Sequence, residues 1–192
     1  MTSRSLLLTA LAIAACARAP VAPPRASEAS PADYFPLAVG NSWTFVDHSP
    51  QRAEPTRHTV RIVGRDPAGY FVDDQRGALR ADGDCLHDRS RRLLCRPLEV
   101  GRAWSSIVSA SATEHYRIVA VGETVAVPAG TFHRCVRVRS QVRAGGVEQI
   151  AELTYAPGVG LVRLETFAVV HGVAEPQVRG VLEAYHVAAA PR

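Results

Sequence analysis

From residue 34 to about residue 187 the chain never sustains apolar residues at helical spacing for three turns; short runs rich in valine are broken instead by Gly, Pro, Asn and Asp. Such a chain cannot assemble helices with a continuous apolar stripe, so it must build its core from strands. Trp43 and Phe45 alternate with Ser42, Thr44 and Val46, and Val60 and Ile62 alternate with Thr59 and Arg61, which gives each strand one inward face. Ala144-Gly145-Gly146 links a strand near 132–143 to one near 147–155, Pro157-Gly158-Val159-Gly160 leads to 161–170, and 171–176 leads to a last strand at about 177–187. The expected class is all-β, an antiparallel meander curling into a half-barrel or open barrel.

Comparison of the chain with itself adds a second constraint. Pro36-Leu37-Ala38-Val39-Gly40-Asn41-Ser42-Trp43 is matched by Pro97-Leu98-Glu99-Val100-Gly101-Arg102-Ala103-Trp104, and His58-x-x-Arg61-Ile62-Val63 and His115-x-Arg117-Ile118-Val119 follow at similar distances. In each copy the proline fixes φ, the leucine can dock on a core, the glycine permits a tight reversal and the tryptophan begins a strand. Two copies make an internal pseudo-repeat, 34–95 and 96–187, within one domain over 33–188.

The first residues read as an address. Arg4 supplies a positive start, residues 6–15 are apolar apart from Thr9, and Ile13-Ala14-Ala15-Cys16 resembles the bacterial lipobox, in which the cysteine is lipidated and the peptide is cut before it. Residues 1–15 are thus expected to be a lipoprotein signal peptide, too short to span a bilayer as a helix. Cys16 then carries the lipid, and two or three acyl chains on it anchor essentially permanently. The alternative is an ordinary secretory signal with an incidental Cys16. Ala17, where inner-membrane retention would favour Asp, points to the outer membrane facing the periplasm. The Ala-, Pro- and Ser-rich stretch up to residue 32 completes a flexible tether over 16–32.

Beyond Cys16 there are three cysteines, an odd number for an oxidising compartment. Cys85 and Cys95 flank the polar turn Asp88-Arg89-Ser90-Arg91-Arg92 between strands expected at 79–87 and 93–96, and could pair across a hairpin. Cys135 and His133 stand two apart on a strand and would share a face, but no orienting carboxylate is evident and packing is the better expectation for Cys135. Asp82 to Asp88 gathers acids and His87 without metal-ligand spacing, so it reads as a solvated hairpin tip and no metal is expected.

Charge excludes more than it suggests. All 22 basic residues are arginine, which removes Schiff-base chemistry and lysine-dependent phosphate loops. Loss of the signal peptide takes out Arg4 and none of the 18 acids, so a small positive balance remains, interspersed and without aromatic-basic motifs. Nucleic acid is not an expected partner, no cofactor is implied, and no nucleophile elbow or Ser-x-x-Lys motif marks an enzyme.

Tyr34-Phe35-Pro36-Leu37-Ala38-Val39-Gly40-Asn41-Ser42-Trp43-Thr44-Phe45, Val127-Pro128-Ala129-Gly130-Thr131-Phe132 and Tyr155-Ala156-Pro157-Gly158-Val159-Gly160-Leu161-Val162-Arg163-Leu164-Glu165 resemble a group of uncharacterised bacterial secreted proteins and lipoproteins. The resemblance implies a curled antiparallel sheet in the periplasm, akin to the open barrels of lipoprotein carriers, and no transferable catalytic residues. The leading functional expectation is a non-catalytic, lipid-anchored binding domain that meets an envelope protein. The alternative is a carrier or sensor of a lipid or other apolar small molecule, with Trp43, Phe45, Trp104 and Tyr116 lining its site.

Overall fold

The computed structural model describes residues 29–188. The signal peptide, Cys16 and most of the expected tether lie outside them. Twelve strands follow a four-residue helix, α1 (Pro31–Tyr34): β1 (Ser42–His48), β2 (Thr56–Arg65), β3 (Phe71–Asp73), β4 (Ala78–Ala81), β5 (Cys85–His87), β6 (Arg92–Cys95), β7 (Ala103–Ser109), β8 (Ala112–Val127), β9 (Gly130–Ala144), β10 (Val147–Ala156), β11 (Gly160–Val170) and β12 (Val173–His186). All pair antiparallel in the order β6-β5-β4-β3-β2-β1-β12-β11-β10-β9-β8-β7. Each half of the chain is a six-strand meander. The halves join by a ladder between β1 and β12, and the sheet curls until β6 meets β7, a nearly closed barrel with one seam.

The seam has no strand ladder. It is bridged by Arg92, whose backbone N–H donates to Ser106 Oγ at 3.0 Å, whose carbonyl accepts from Trp104 Nε1 at 2.6 Å and whose guanidinium donates to the Ser105 carbonyl at 2.6 Å. Side chains thus satisfy backbone groups that edge strands would otherwise leave open.

The repeated motif folds the same way twice. Gly40 N–H donates to the Ile62 carbonyl and Gly101 N–H to that of Ile118, both at 2.9 Å; Ile62 and Ile118 return bonds of 2.9 Å to the carbonyls of Asn41 and Arg102. Both glycines have φ near +90°, the left-handed region in which a side chain would be strained. Each tryptophan then anchors its half, Trp43 Nε1 on the Val159 carbonyl and Trp104 Nε1 on that of Arg92.

Three boundaries differ from the sequence reading. The tether ends earlier than residue 32, because Ser30 and Asp33 form a capping box around α1, Pro31 occupies its start, and Ala29 and Pro31 are buried. The last strand starts at Val173 rather than 177: His171 and Gly172, at φ +51° and +81°, make a two-residue hairpin, and Pro176 is accommodated where the β11–β12 register slips. The run expected as one strand over 79–87 is two, because the Asp82 carboxylate accepts from the N–H groups of Asp84 and Cys85 and turns the chain.

On the outer face, Arg117, Arg139, Glu152, Glu165 and Arg179 stand side by side across β8 to β12. Glu152 is at their centre, its carboxylate bonded by Arg137 and Arg139 at 2.9 Å. Burial opposes its ionisation, but the bonds from Arg139 and Arg137 outweigh burial and hold it below the usual carboxylate range. A lowered folded-state pKa means that this group stabilises the fold fully above its unfolded value of about 4.3 and loses that contribution as pH falls through the folded one. In urea titrations at a series of pH values, Glu152→Gln is expected to narrow the gap from wild type only below about pH 4.3. A gap that stays constant into strong acid would show that the cluster is not linked to folding.

Candidate functional site

The inner face is where the chain builds a site. Phe35 and Trp43 pack at 5.0 Å between ring centres, and Phe35 meets the buried Tyr155 edge-on at 6.5 Å. Around this aromatic floor the inner side chains of β1 to β6 and of β10 and β11 do not close up. They leave a cavity of about 200 Å³ bordered by Phe45, Val60, Ile62, Phe71, Leu79 and Leu153 among others. Phe71, Leu79, Leu93, Leu153 and Leu161 point into the barrel yet stay only half-buried, because the surface they keep is the wall of this space.

One carboxylate, that of Asp73, borders the cavity. Its Oδ1 already accepts from the N–H groups of Gln75 and Gly77, at 2.9 and 2.7 Å, so it works as a turn residue. A Cβ at position 77 would come within 2.2 Å of Asp73 Oδ2, so a side chain there would displace the carboxylate that holds this turn. The remaining lining offers dispersion and little else, and suits an apolar group.

The four aromatic residues expected to line one ligand site are divided by the fold. Trp43 and Phe45 border the apolar cavity. Trp104 and Tyr116 lie opposite one another on β7 and β8, stacked at 5.5 Å with ring planes 5° apart, inside the core cluster that also holds Leu86, Leu94 and Leu98. Spacing along the chain gave no sign of this division, since equivalent positions of the two repeats face different neighbours. Nothing in the sequence sets Phe35, Phe71 and Leu153 apart from other core residues; only the folded chain brings them to this cavity.

Cys85 and Cys95 are opposite one another in the β5–β6 register and are joined by a disulfide of 2.00 Å, with both residues buried. Cys135 and His133 do not share a face. Arg134 adopts φ +58°, so two residues of β9 stand opposite Thr124 alone, and the bulge reverses the alternation. Its carbonyl is held by the Tyr34 hydroxyl at 2.8 Å. His133 is therefore outside, bonded to Thr124, while Cys135 is fully buried and its thiol is pushed up to about 11, chiefly by burial. A neutral, enclosed thiol is a packing group and not a nucleophile. His87 meets the turn-forming Asp82 at 2.6 Å, and no group of three metal-ligating side chains occurs among the described residues.

No protein-family model matches the chain, nor does any curated protein. Among solved structures it is similar to a "putative exported protein with YmcC-like fold" from Bacteroides fragilis NCTC 9343, at 17% identity and a TM-score of 0.51, over 80% of this chain and 99% of that one. A "putative lipoprotein" from Parabacteroides distasonis ATCC 8503 aligns over 80% of this chain and 98% of that one, at 14% identity and a TM-score of 0.42. The first likeness places the barrel among folds already seen in crystals.

Proposed function

We propose that this protein carries or senses an apolar small molecule inside its barrel, without chemistry, while lipid on Cys16 tethers it to the bacterial envelope, at the outer membrane and facing the periplasm. The apolar cavity carries this reading. At about 200 Å³ it is larger than the ~150 Å³ space that accepts benzene in an engineered core, and smaller than the ~300 Å³ at which drug-sized sites begin. It therefore suits one ring or a short alkyl segment. The address rests on the sequence alone, on the run from Arg4 to Cys16.

A module that docks on a partner protein by an apolar patch is the weaker reading. The large apolar side chains left outside, such as Val39, Val63, Val100 and Ile107, come from separate strands and turns.

Toluene, a ring of suitable size with no polar group, tests the cavity. Saturable binding to the folded state is expected to raise the melting temperature with toluene concentration. Val60 stands beside Trp43 on the inner face, so Val60→Phe should fill the space, raise the melting temperature without ligand and abolish the response. A wild-type protein indifferent to toluene, or a variant that still responds, would count against the reading.

A further inference from the structure

The lining of the apolar cavity includes one charged residue, and the fold leaves that charge without a counterpart. Asp73 ends β3, two residues beyond Phe71 on the same face and opposite Ile62 on β2, and both of those side chains border the cavity. Asp73 is half-buried, and the chain leaves it through the exposed residues Asp74, Gln75 and Arg76, so it stands where the cavity meets solvent.

The carboxylate is held in place and only half satisfied. Oδ1 accepts from the N–H groups of Gln75 and Gly77, whereas Oδ2 accepts no hydrogen bond. The backbone closes the same turn independently, with the Asp73 N–H donating to the Gly77 carbonyl at 3.0 Å. Asparagine would supply the Oδ1 acceptor equally well and without charge, so the turn does not account for an aspartate. Nor does an ion pair neutralise it among the described residues. Arg65 lies over the Phe71 ring at 5.2 Å and donates to the Gly69 carbonyl, and Arg80 lies over the Tyr70 ring at 4.8 Å and donates to the Ala68 carbonyl.

An ionised carboxylate only accepts, so its complement is a donor, and a cationic donor bonds it more strongly than a neutral one. A hydroxyl would bond Oδ2 and leave the charge standing, whereas an ammonium does both. At the edge of the cavity a cation also keeps part of its water, which limits the desolvation that opposes full burial. The space of about 200 Å³ beside it takes one ring or a short alkyl segment. We infer that the ligand of the barrel is a hydrophobic primary amine, with its ammonium on Asp73 Oδ2 and its ring or alkyl group in the cavity. This inference rests on the apolar-cavity reading and adds the polar group that the ligand carries.

Benzylamine and benzyl alcohol carry a donor on the same ring, charged in the first and neutral in the second, and toluene carries none. In calorimetric titrations of the purified protein at neutral pH, benzylamine is expected to bind about tenfold more tightly than benzyl alcohol. Added salt should weaken the amine and leave the alcohol unchanged, a check that needs no variant. Asp73→Asn keeps Oδ1 for the turn and puts an amide donor in the place of Oδ2, so it should remove the preference for the amine while toluene binding reports an intact cavity. Val60→Phe fills the cavity and leaves Asp73 in place, and should bind neither compound. Equal affinity for amine and alcohol in wild type, an amine affinity indifferent to salt, a preference that survives in Asp73→Asn, or amine binding that survives in Val60→Phe would overturn the inference even where toluene binds. If none of the three compounds bound, the cavity reading itself would fall, and the inference with it.

Discussion

Trp104→Ala is expected to lower the free energy of unfolding by about 3–5 kcal/mol, the range for deleting a buried tryptophan. Its ring stacks on Tyr116 inside the core, so truncation leaves a large void between β7 and β8. Its indole N–H also holds the Arg92 carbonyl across a seam that has no ladder of its own. Trp104→Phe separates the two roles, since it keeps most of the stack and loses only the bond, at a cost of about 1 kcal/mol. Trp43→Ala should cost a similar amount, because Trp43 occupies the equivalent place in the first half and bonds the Val159 carbonyl. The variants should differ in where the fold loosens: amide exchange in β4 to β6 should accelerate for Trp104→Ala more than for Trp43→Ala. A Trp104→Ala protein within about 1 kcal/mol of wild type by urea denaturation would mean that side chains do not close the seam.

The all-β class was legible because alternation and turn residues are local properties. Ser42-Trp43-Thr44-Phe45 can bury only one face, and Gly145-Gly146 can only reverse the chain, whatever the rest of the molecule does. The repeat was legible for a related reason, since φ near +90° at Gly40 and Gly101 is a demand that glycine advertises. What the sequence hid depends on contacts remote along the chain. That β1 pairs with β12, and so sets the halves side by side, is written in no single segment. The bulge that separates His133 from Cys135 needs Arg134 in a left-handed conformation, and the Tyr34 hydroxyl that holds it comes from a hundred residues earlier. The cavity is a still more global property: Phe71, Leu79 and Leu153 are ordinary inner residues of their strands, and the space between them follows from the curvature of the nearly closed sheet.

Removing the disulfide should have the other large effect. Cys85→Ala with Cys95→Ala is expected to cost about 2–3 kcal/mol, the entropy released when a loop of this length opens in the unfolded chain. The native corner is poorly placed to absorb that loss. Strands β5 and β6 are three and four residues long, β4 offers β5 only two residue pairs, and the other side of β6 is the seam. Wild type treated with dithiothreitol should fall to about the stability of the double alanine variant, whereas the variant should ignore the reductant. Equal stability of oxidised and reduced wild type would show that the ladders alone hold this corner. Leu86 and Leu93, which border the apolar cavity, lie on the two strands that the bond joins. If that cavity binds as proposed, the reduced protein should exchange toluene faster as well as unfold more readily, because the wall released by reduction is the one nearest the seam.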